Sequence, residues 1–428
     1  MPYRSVLEYP GYRSLWLAQV VSALGSRLEE IAFVWLVLEV TGDPAALAFV
    51  VTITALPSIA TALPAGFLAD RWNRKYLLIG SDLVRAAVLP LIPLLAPRYD
   101  TMTVLIGVGV VYGIAGSFFG PARGAIIPNL VPEEELDEAN GLSQLTLIAS
   151  RALYILGGAL IALIGTYNVF LIDAATFLVS AVILLAIPSY QGIPDSDEIE
   201  SGDSPIDAAV DDFRDAVGIM REHRVLLPLL AMQLGVFFFT APIGSIVMPV
   251  FSTQVFGGDS FTYGILYGSF YVGMFVSGGF LDDVMDWRLG HGEYVIWGTV
   301  LSGFFLALTG VAPELSPLPF IGTLLFHGLC GAATLYVQVA VQTLLQTIPP
   351  DDVRGKLFSV MSAGIMAVPP ISYAIFGPLV GSQGPILVLF GMGVALVVAG
   401  VVTAFTPVYG ANVDADREFP GSDQLSPS

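Results

Sequence analysis

Long apolar runs, separated by short polar turns, fill most of this 428-residue chain. A helix needs about 20 apolar residues to cross the hydrocarbon core of a bilayer. The runs predict twelve membrane helices, near residues 14–40, 45–68, 76–96, 101–124, 143–165, 167–188, 225–254, 260–281, 291–312, 318–346, 353–379 and 384–405. Hydrophobic residues make up 55% of the chain and charged residues 12%, which excludes an ordinary soluble globule. We therefore predict an all-α membrane protein.

The placement of arginine and lysine predicts the orientation, because these residues are retained on the cytoplasmic side of membrane proteins. If the N-terminus is cytoplasmic, the only one on an outer segment is Arg98. The inner segments then hold Arg4, Arg13, Arg71, Arg74, Lys75, Arg123, Arg214, Arg221, Arg224, Arg288, Arg354, Lys356 and Arg417. We expect a multi-pass protein of the cell membrane with both termini cytoplasmic and a first helix that is retained.

Acidic residues give the chain a net charge of −19, and most lie outside the apolar runs. The predicted organisation is an N-terminal half (1–188), an acidic cytoplasmic linker (189–224), a C-terminal half (225–406) and an acidic tail (407–428). An acidic surface with only two lysines is typical of proteins adapted to molar salt, where a Debye length of ~3 Å removes the self-repulsion. Halophilic adaptation is the expectation, and an ordinary acidic linker and tail is the alternative.

Short motifs recur in the two halves of the chain. The sequence Gly66-Phe67-Leu68-Ala69-Asp70 returns as Gly279-Phe280-Leu281-Asp282-Asp283. The sequence Pro132-Glu133-Glu134 returns as Pro350-Asp351-Asp352 at nearly the same offset. This repetition predicts two similar six-helix halves that run parallel to each other.

The segment from Gly66 to Lys75 resembles the loop signature of the major facilitator superfamily, Gly-x-x-x-Asp-Arg-x-Gly-Arg-Arg/Lys. The residues that match it are Gly66, Asp70, Arg71, Arg74 and Lys75. Asn73 replaces the family's glycine, and asparagine is expected to tolerate the left-handed turn there. The resemblance implies the major facilitator fold, with the substrate site between the two halves.

The same resemblance implies that Asp70 closes a cytoplasmic gate, with Arg123 as its partner. The alternative is that the segment acts only as a topology and folding signal. Asp283 is the corresponding residue of the second half, but Gln342 stands near the position equivalent to Arg123. A latch at Asp283 is therefore expected to be weaker.

Three further blocks resemble the branch that contains macrolide efflux and enterobactin exporters: 41–44 (Thr-Gly-Asp-Pro), 120–123 (Gly-Pro-Ala-Arg) and 136–140 (Leu-Asp-Glu-Ala-Asn). This implies proton-coupled efflux of a lipophilic or siderophore-like small molecule by alternating access. One departure weakens the antiport assignment, since Tyr154-Ile155 stands where the exporters have a Gly-Pro step. Uptake by symport, lysophospholipid flipping and a non-transporting receptor are the alternatives.

An enzyme is not expected, because the chain has no Walker loop, zinc-binding helix or nucleophile elbow. We predict no cofactor and no nucleic-acid partner. The expected partners are a small-molecule substrate, a coupling proton (with sodium as the alternative) and the lipid bilayer, and the expected state is a monomer. The three histidines are dispersed and Cys330 is the only cysteine, which argues against a metal site and excludes an intramolecular disulfide.

Polar residues on the first helix are candidates for the transport site. Gln19, Ser22, Ser26, Glu29 and Glu30 share one helical face, and ionisable groups at membrane depth are functional candidates by default. Glu30 is the first candidate for proton coupling and Glu29 the second. Arg151 is the candidate counter-charge. The alternative is that Glu30 or Glu29 forms a purely structural pair with Arg151 or Arg27.

The tenth predicted helix carries a second polar stripe, formed by His327, Thr334, Gln338 and Gln342. These side chains either line the opposite wall of a substrate cavity or pack between helices. Asp82 and Arg85 are three residues apart and are expected to pair locally. Asp173 is expected to lie near the outer end of its helix, within reach of water.

Overall fold

The computed structural model describes residues 4–188, 214, 218–221, 223–280, 289–349 and 351–411. Within its helices the described part omits the side chains of Ala62, Leu63, Phe67, Asp70, Gly355, Ser359 and 351–353. Most of the predicted linker, the tail from residue 412 and Asp283 therefore lie outside the described residues.

The chain divides into two compact units. Unit 1 comprises Met1–Gly202 and Gly257–Gly268, and unit 2 comprises Asp203–Phe256 and Ser269–Ser428. The segment Gly257–Gly268 thus belongs to unit 1 although it follows the predicted linker in sequence. The predicted domain bounds remain a prediction.

Unit 1 contains eight described helices before the linker. They are α1 (Pro10–Thr41), α2 (Pro44–Arg71), α3 (Arg74–Val88), α4 (Leu91–Leu95), α5 (Thr101–Ile126), α6 (Leu136–Arg151), α7 (Tyr154–Ile164) and α8 (Thr166–Leu185). Pro90 separates α3 from α4 because proline cannot donate a hydrogen bond to the preceding turn. The axes of α6 and α7 differ by 45° across a short break.

Polar side chains begin three of these helices. Asp43 accepts a hydrogen bond from the backbone of Ala45, Asn73 from Lys75, and Asp100 from the backbone of Thr103. Asn73 has φ −65° and ψ 109°, so the expected left-handed turn is wrong at this position. Its amide instead replaces the missing helical partner of the Lys75 N–H.

The second half of the chain contributes seven described helices. They are α9 (Leu226–Pro242), α10 (Met248–Phe256), α11 (Ser260–Gly278), α12 (His291–Leu315), α13 (Pro319–Thr347), α14 (Asp351–Gln383) and α15 (Pro385–Thr403). One π-helical turn, Ile243–Val247, joins α9 to α10 directly after Pro242. Helix α11 begins in unit 1 and continues into unit 2.

In each half of the chain, two consecutive helices are joined by a glycine at a position that other residues would fit poorly. Gly165, between α7 and α8, has φ +85°, and Gly384, between α14 and α15, has φ +81°. A side chain in this region of backbone space is strained. The device is the same in both units, in keeping with the predicted internal repeat.

Within the described ranges, nine helices are long and apolar enough to cross a bilayer, and counting the bent α6–α7 pair as one span raises this to ten. The long helices α1 and α11 are not among them. Helix α1 carries Arg27, Glu29 and Glu30, and α11 is rich in glycine, serine and tyrosine, which lowers the apolar character of both. The chain is a multi-pass membrane protein, and the number twelve remains a prediction.

Candidate functional site

Arg27, Glu30 and Tyr154 form a hydrogen-bonded cluster in unit 1. The Arg27 Nη1 atom lies 2.6 Å from Oε2 of Glu30 and donates a second hydrogen bond to the Tyr154 hydroxyl at 2.8 Å. The Tyr154 hydroxyl in turn donates to Oε2 of Glu30 at 2.7 Å. The side chains of Arg27 and Glu30 are 25% and 38% exposed. Glu30 therefore has both a counter-ion and a hydroxyl donor.

Aromatic rings extend from this cluster through unit 1. The Tyr154 ring centroid lies 4.6 Å from that of Tyr267, which stacks on Tyr263 at 6.2 Å. Tyr263 stacks on Trp35 at 6.3 Å. The Arg27 guanidinium also lies 5.8 Å from the centroid of the Tyr154 ring. An ion pair beside an aromatic wall suits a molecule with an apolar body and a polar or charged group.

The remaining polar residues of the predicted α1 face point toward neighbouring backbone. Gln19 is 2% exposed, and its Nε2 donates to the carbonyl of Ser143 on α6 at 3.0 Å. Ser22 and Ser26 donate to carbonyls of their own helix, those of Gln19 and Ser22. Gln19 thus connects α1 to α6, whereas the two serines bond within α1. The role of these three residues in substrate binding remains a proposal.

A second charged cluster lies in the interior of unit 1. Arg85 Nη2 and Asp82 Oδ1 on α3 are 2.6 Å apart, which confirms the predicted local pair. Ser180 on α8 donates to the other Asp82 oxygen at 2.6 Å. The Arg85 guanidinium lies over the ring of Phe177 at 4.1 Å. This pair is almost entirely buried, because Asp82 is 0% exposed and Arg85 is 8% exposed.

Two further carboxyls, Glu29 and Asp173, lie in the same interior. Glu29 is 8% exposed. Asp173 is 0% exposed, so the prediction that water reaches it is wrong. Its helix packs against α1 and α3 along the polar stripe Asp173, Thr176 and Ser180, which buries the carboxyl between helices. The position of Asp173 near the start of its helix indicated how deep the residue lies in the membrane. It did not indicate which face of the helix carries the carboxyl.

The two basic residues at the start of α3 make mainly structural contacts. Lys75 Nζ donates to the carbonyls of Leu185 and Ile187 at 2.8 and 2.5 Å, at the end of α8. Arg74 Nη1 donates to Asn129 Oδ1 at 2.9 Å. These two basic residues of the signature thus connect the start of α3 to other parts of unit 1 through hydrogen bonds.

The gate itself is only partly within the described residues. Gly66 lies on α2, Arg71 is exposed at its end, and Arg123 is half-buried on α5. The Asp70 side chain and all of Asp283 lie outside the described part. The pairing of Asp70 with Arg123 therefore stays a prediction.

The second predicted polar stripe lies on α13 in unit 2. His327 is 1% exposed, with Nδ1 3.1 Å from the hydroxyl of Ser269. The Thr334 hydroxyl lies 2.5 Å from that of Ser302 on α12. The exposed members of the stripe are Gln338 and Gln342. The buried members form hydrogen bonds between helices, as expected for the packing alternative.

Arg151, the predicted counter-charge, lies exposed in the last turn of α6. Among the described residues, Glu30 forms an ion pair with Arg27, three residues away on its own helix. Sequence reasoning missed Tyr154 as the third member of the cluster. The available signal was the departure from the exporters' Gly-Pro step, which places a tyrosine at this position.

Comparisons with known proteins identify the family. Residues 4–423 match the family described as transmembrane secretion effector. Macrolide efflux protein A of Streptococcus pyogenes is 26% identical over 390 residues, covering 86% of this chain and 90% of its own. Multidrug efflux pump Tap of Mycolicibacterium fortuitum is 24% identical over 400 residues, covering 91% and 94%.

Solved structures share the fold. A bacterial homologue of the iron transporter ferroportin, in an inward-facing state, superimposes with a TM-score of 0.71 at 16% identity, over 92% of this chain and 97% of its own. The xylose transporter XylE from E. coli gives 0.67 at 13% identity, over 97% and 99%. The relatives are transporters and not enzymes. The chain belongs to the transmembrane secretion effector family and is a transporter of the major facilitator superfamily that resembles the macrolide efflux branch.

Proposed function

We propose that this protein is a proton-coupled exporter of a lipophilic or siderophore-like small molecule. It works by alternating access of twelve helices in two six-helix halves, as a monomer in the cell membrane with both termini cytoplasmic. Relatives named for macrolide and multidrug efflux, which align over most of the chain, support export. The observation that carries the proposal is the Arg27–Glu30–Tyr154 cluster beside aromatic rings.

The cluster supplies a direct chemical basis for exchange of substrate and proton. Glu30 is held by one cation and one hydroxyl, and 38% of its side chain is exposed. A bound cationic or hydrogen-bonding substrate would compete with Arg27 for the carboxylate, and a proton would compete with both. Release of a proton on one side of the membrane and of substrate on the other then gives antiport. The residues proposed for this step are Glu30, Glu29 and Arg151.

The gate residues complete the proposed cycle. Asp70 and Arg123 would pair across the cytoplasmic side in the outward-facing state, supported by Gly66 and Arg71 near the end of α2, with a weaker contact at Asp283. Gln19, Ser22 and Ser26 on α1, and the α13 stripe, are proposed as polar contacts of the substrate path.

An apolar groove in unit 1 favours lysophospholipid flipping as a second candidate. It measures about 600 Å³ and runs between α2, α3 and α5. Its lining includes Leu68, Tyr76, Val84, Val111 and Phe118. Such a surface accepts an acyl chain. Translocation of a fluorescent lysophospholipid in vesicles that contain the purified protein would favour this candidate.

The decisive experiment is accumulation of a panel of fluorescent lipophilic compounds in cells that express the protein, with and without a protonophore. Lower accumulation in the wild type, lost with the protonophore and in Glu30→Gln and Asp70→Asn, is expected. Glu314→Gln is the matched control, because Glu314 is an exposed carboxylate at the end of α12. If the protein reaches the membrane and excludes none of the compounds, export is contradicted in favour of uptake, flipping or a receptor.

A further inference from the structure

Asp173 is a fully buried carboxyl that is only half satisfied. Its side chain is 0% exposed. The Thr176 hydroxyl donates to Oδ1 at 3.0 Å. Among the described residues, Oδ2 has no hydrogen-bond partner. A buried carboxylate with a bare oxygen is costly, and a proton on that oxygen would remove its charge.

Glu29 lies on the helix that packs against Asp173. A side chain on Gly25 of α1 would place its Cβ 2.1 Å from Asp173 Oδ1, so the α1 backbone approaches the carboxyl at this point. Glu29 follows Gly25 by four residues and therefore lies one turn along the same face. Glu29 is 8% exposed, and the Asp173 carboxyl acts electrostatically on it. Two acids from different helices thus share one interior.

The two arginines near Glu29 and Asp173 form ion pairs with other carboxylates. Arg27 pairs with Glu30 at 2.6 Å, and Arg85 pairs with Asp82 at 2.6 Å. The charged and titratable groups that face Glu29 and Asp173 are Arg27 and Glu30 from α1, Asp82 and Arg85 from α3, and Tyr112 from α5. Each arginine is neutralised by its own carboxylate. Glu29 and Asp173, if both ionised, would leave two uncompensated negative charges in the protein interior.

Such an arrangement is unstable without a bound cation, because like charges in a low-dielectric interior repel strongly and neither is hydrated. A proton is the smallest cation and needs only one oxygen. Among the described residues, no cluster of three or more His, Cys, Asp or Glu could hold a metal ion. The chemistry of the pair therefore favours a proton over a metal.

We propose that Glu29 and Asp173 form a proton-binding pair in the interior of unit 1, which carries one proton at neutral pH between α1 and α8. This deepens and rests on the proposed proton-coupled export, since it moves the bound proton from the exposed, ion-paired Glu30 to the buried pair. Glu30 then binds substrate. The proton-binding Glu29 and the substrate-binding Glu30 are adjacent residues on α1. Movement of α1 on substrate binding changes the contact with Asp173 and so releases or takes up the proton.

The test is infrared spectroscopy of the purified full-length protein, which separates protonated carboxyl groups from carboxylates by the C=O stretch. A protonated-carboxyl band is expected at neutral pH. Asp173→Asn and Glu29→Gln should each remove it. If the replaced acid held the proton, the protonated carboxyl is lost. If the other acid held it, that acid can now ionise because no second carboxylate repels it. Glu314→Gln is the matched control, because Glu314 is an exposed carboxylate at the end of α12, and it should leave the band in place. Either of the two pair variants suffices if the other does not fold.

Three results would overturn the pair. One is the absence of a protonated-carboxyl band at neutral pH in the wild type. Another is a band that persists in a folded Glu29→Gln or Asp173→Asn protein. The third is a band that disappears when sodium is added at constant pH, which would make the pair a sodium site.

Transport assays test the link to export separately. If the wild type expels a compound, Asp173→Asn should retain substrate binding, seen as quenching of tryptophan fluorescence, but lose acceleration by a pH gradient. Asp173→Asn export that still follows the gradient would contradict coupling through the pair. If the wild type expels nothing, the proposed function fails, and the infrared band alone decides whether the pair holds a proton.

Discussion

Tyr154 and Glu30 meet across two helices of unit 1, with the tyrosine hydroxyl donating to the Glu30 carboxylate at 2.7 Å. Tyr154 is the first residue of α7, directly after the break between α6 and α7. The break thus places the hydroxyl beside the α1 ion pair. Tyr154, which stands where the exporters have a Gly-Pro step, therefore also positions the carboxylate of Glu30, the proposed substrate-binding residue.

Reversal of both charges in the α1 ion pair should restore what either single reversal removes. Arg27→Glu and Glu30→Arg each place two like charges side by side and should lower the thermal unfolding midpoint. A charged hydrogen bond contributes about 1.5–3 kcal/mol, and partial exposure favours the lower end. The double variant should recover most of the loss. Tyr154→Phe keeps the ion pair but removes the hydroxyl that bonds to both charged groups, and it should cost about 1.5–3 kcal/mol. Additive single effects would show that the pair is not coupled.

The fold could be predicted further from the sequence than the site. The apolar runs and the loop signature located the helices because bilayer thickness and charge exclusion act on composition alone. The breaks in the third and fifth apolar runs were not predicted, since Pro90 and the Ala152-Leu153 step lie within apolar sequence. The helical face of each polar residue was harder still, because α1 is contacted on several sides.

The contacts of the charged residues show the same limit. Asp82 and Arg85 paired as predicted because their spacing alone brings them together. Arg151 was favoured over Arg27 as the partner of Glu30, although Arg27 is three residues from it in sequence. Burial of Asp173 depends on which helix covers it, and that information is tertiary.

Lys75 should contribute to stability apart from any role in gating. Its ammonium group donates to two carbonyls at the end of α8, where the helix dipole also favours a cation. Lys75→Met should lower the free energy of unfolding by about 2 kcal/mol, measured as a lower unfolding midpoint in detergent. Arg13→Met is the control, because Arg13 is exposed on α1. Equal midpoints for the two variants would assign Lys75 to gating alone.

Asp100 gives α5 a pH-dependent cap. The Thr103 hydroxyl and backbone N–H donate to its carboxylate at 2.7 and 2.8 Å and lower its pKa. Because the folded-state pKa is below the unfolded value, the stabilisation is present above the ordinary carboxyl range and is lost as pH falls through the folded pKa. Asp100→Ala should therefore lower the unfolding midpoint at neutral pH. The difference from wild type should narrow below about pH 4. A difference that is constant with pH would contradict this.

Gly25 is the α1 glycine that approaches α8, and it should be hard to replace. An added Cβ would lie 2.1 Å from both Asp173 Oδ1 and Thr176 Oγ1, so these two side chains or the spacing of α1 and α8 would have to change. Overpacking of this kind costs about 1–3 kcal/mol. Gly25→Ala should therefore lower the unfolding midpoint and disturb the buried carboxyls. Gly80→Ala is the matched control, because Gly80 is helical with open space around its Cβ position, and alanine there should be neutral or stabilising. Comparable losses in both variants would show that helix–helix approach at Gly25 is not the cause.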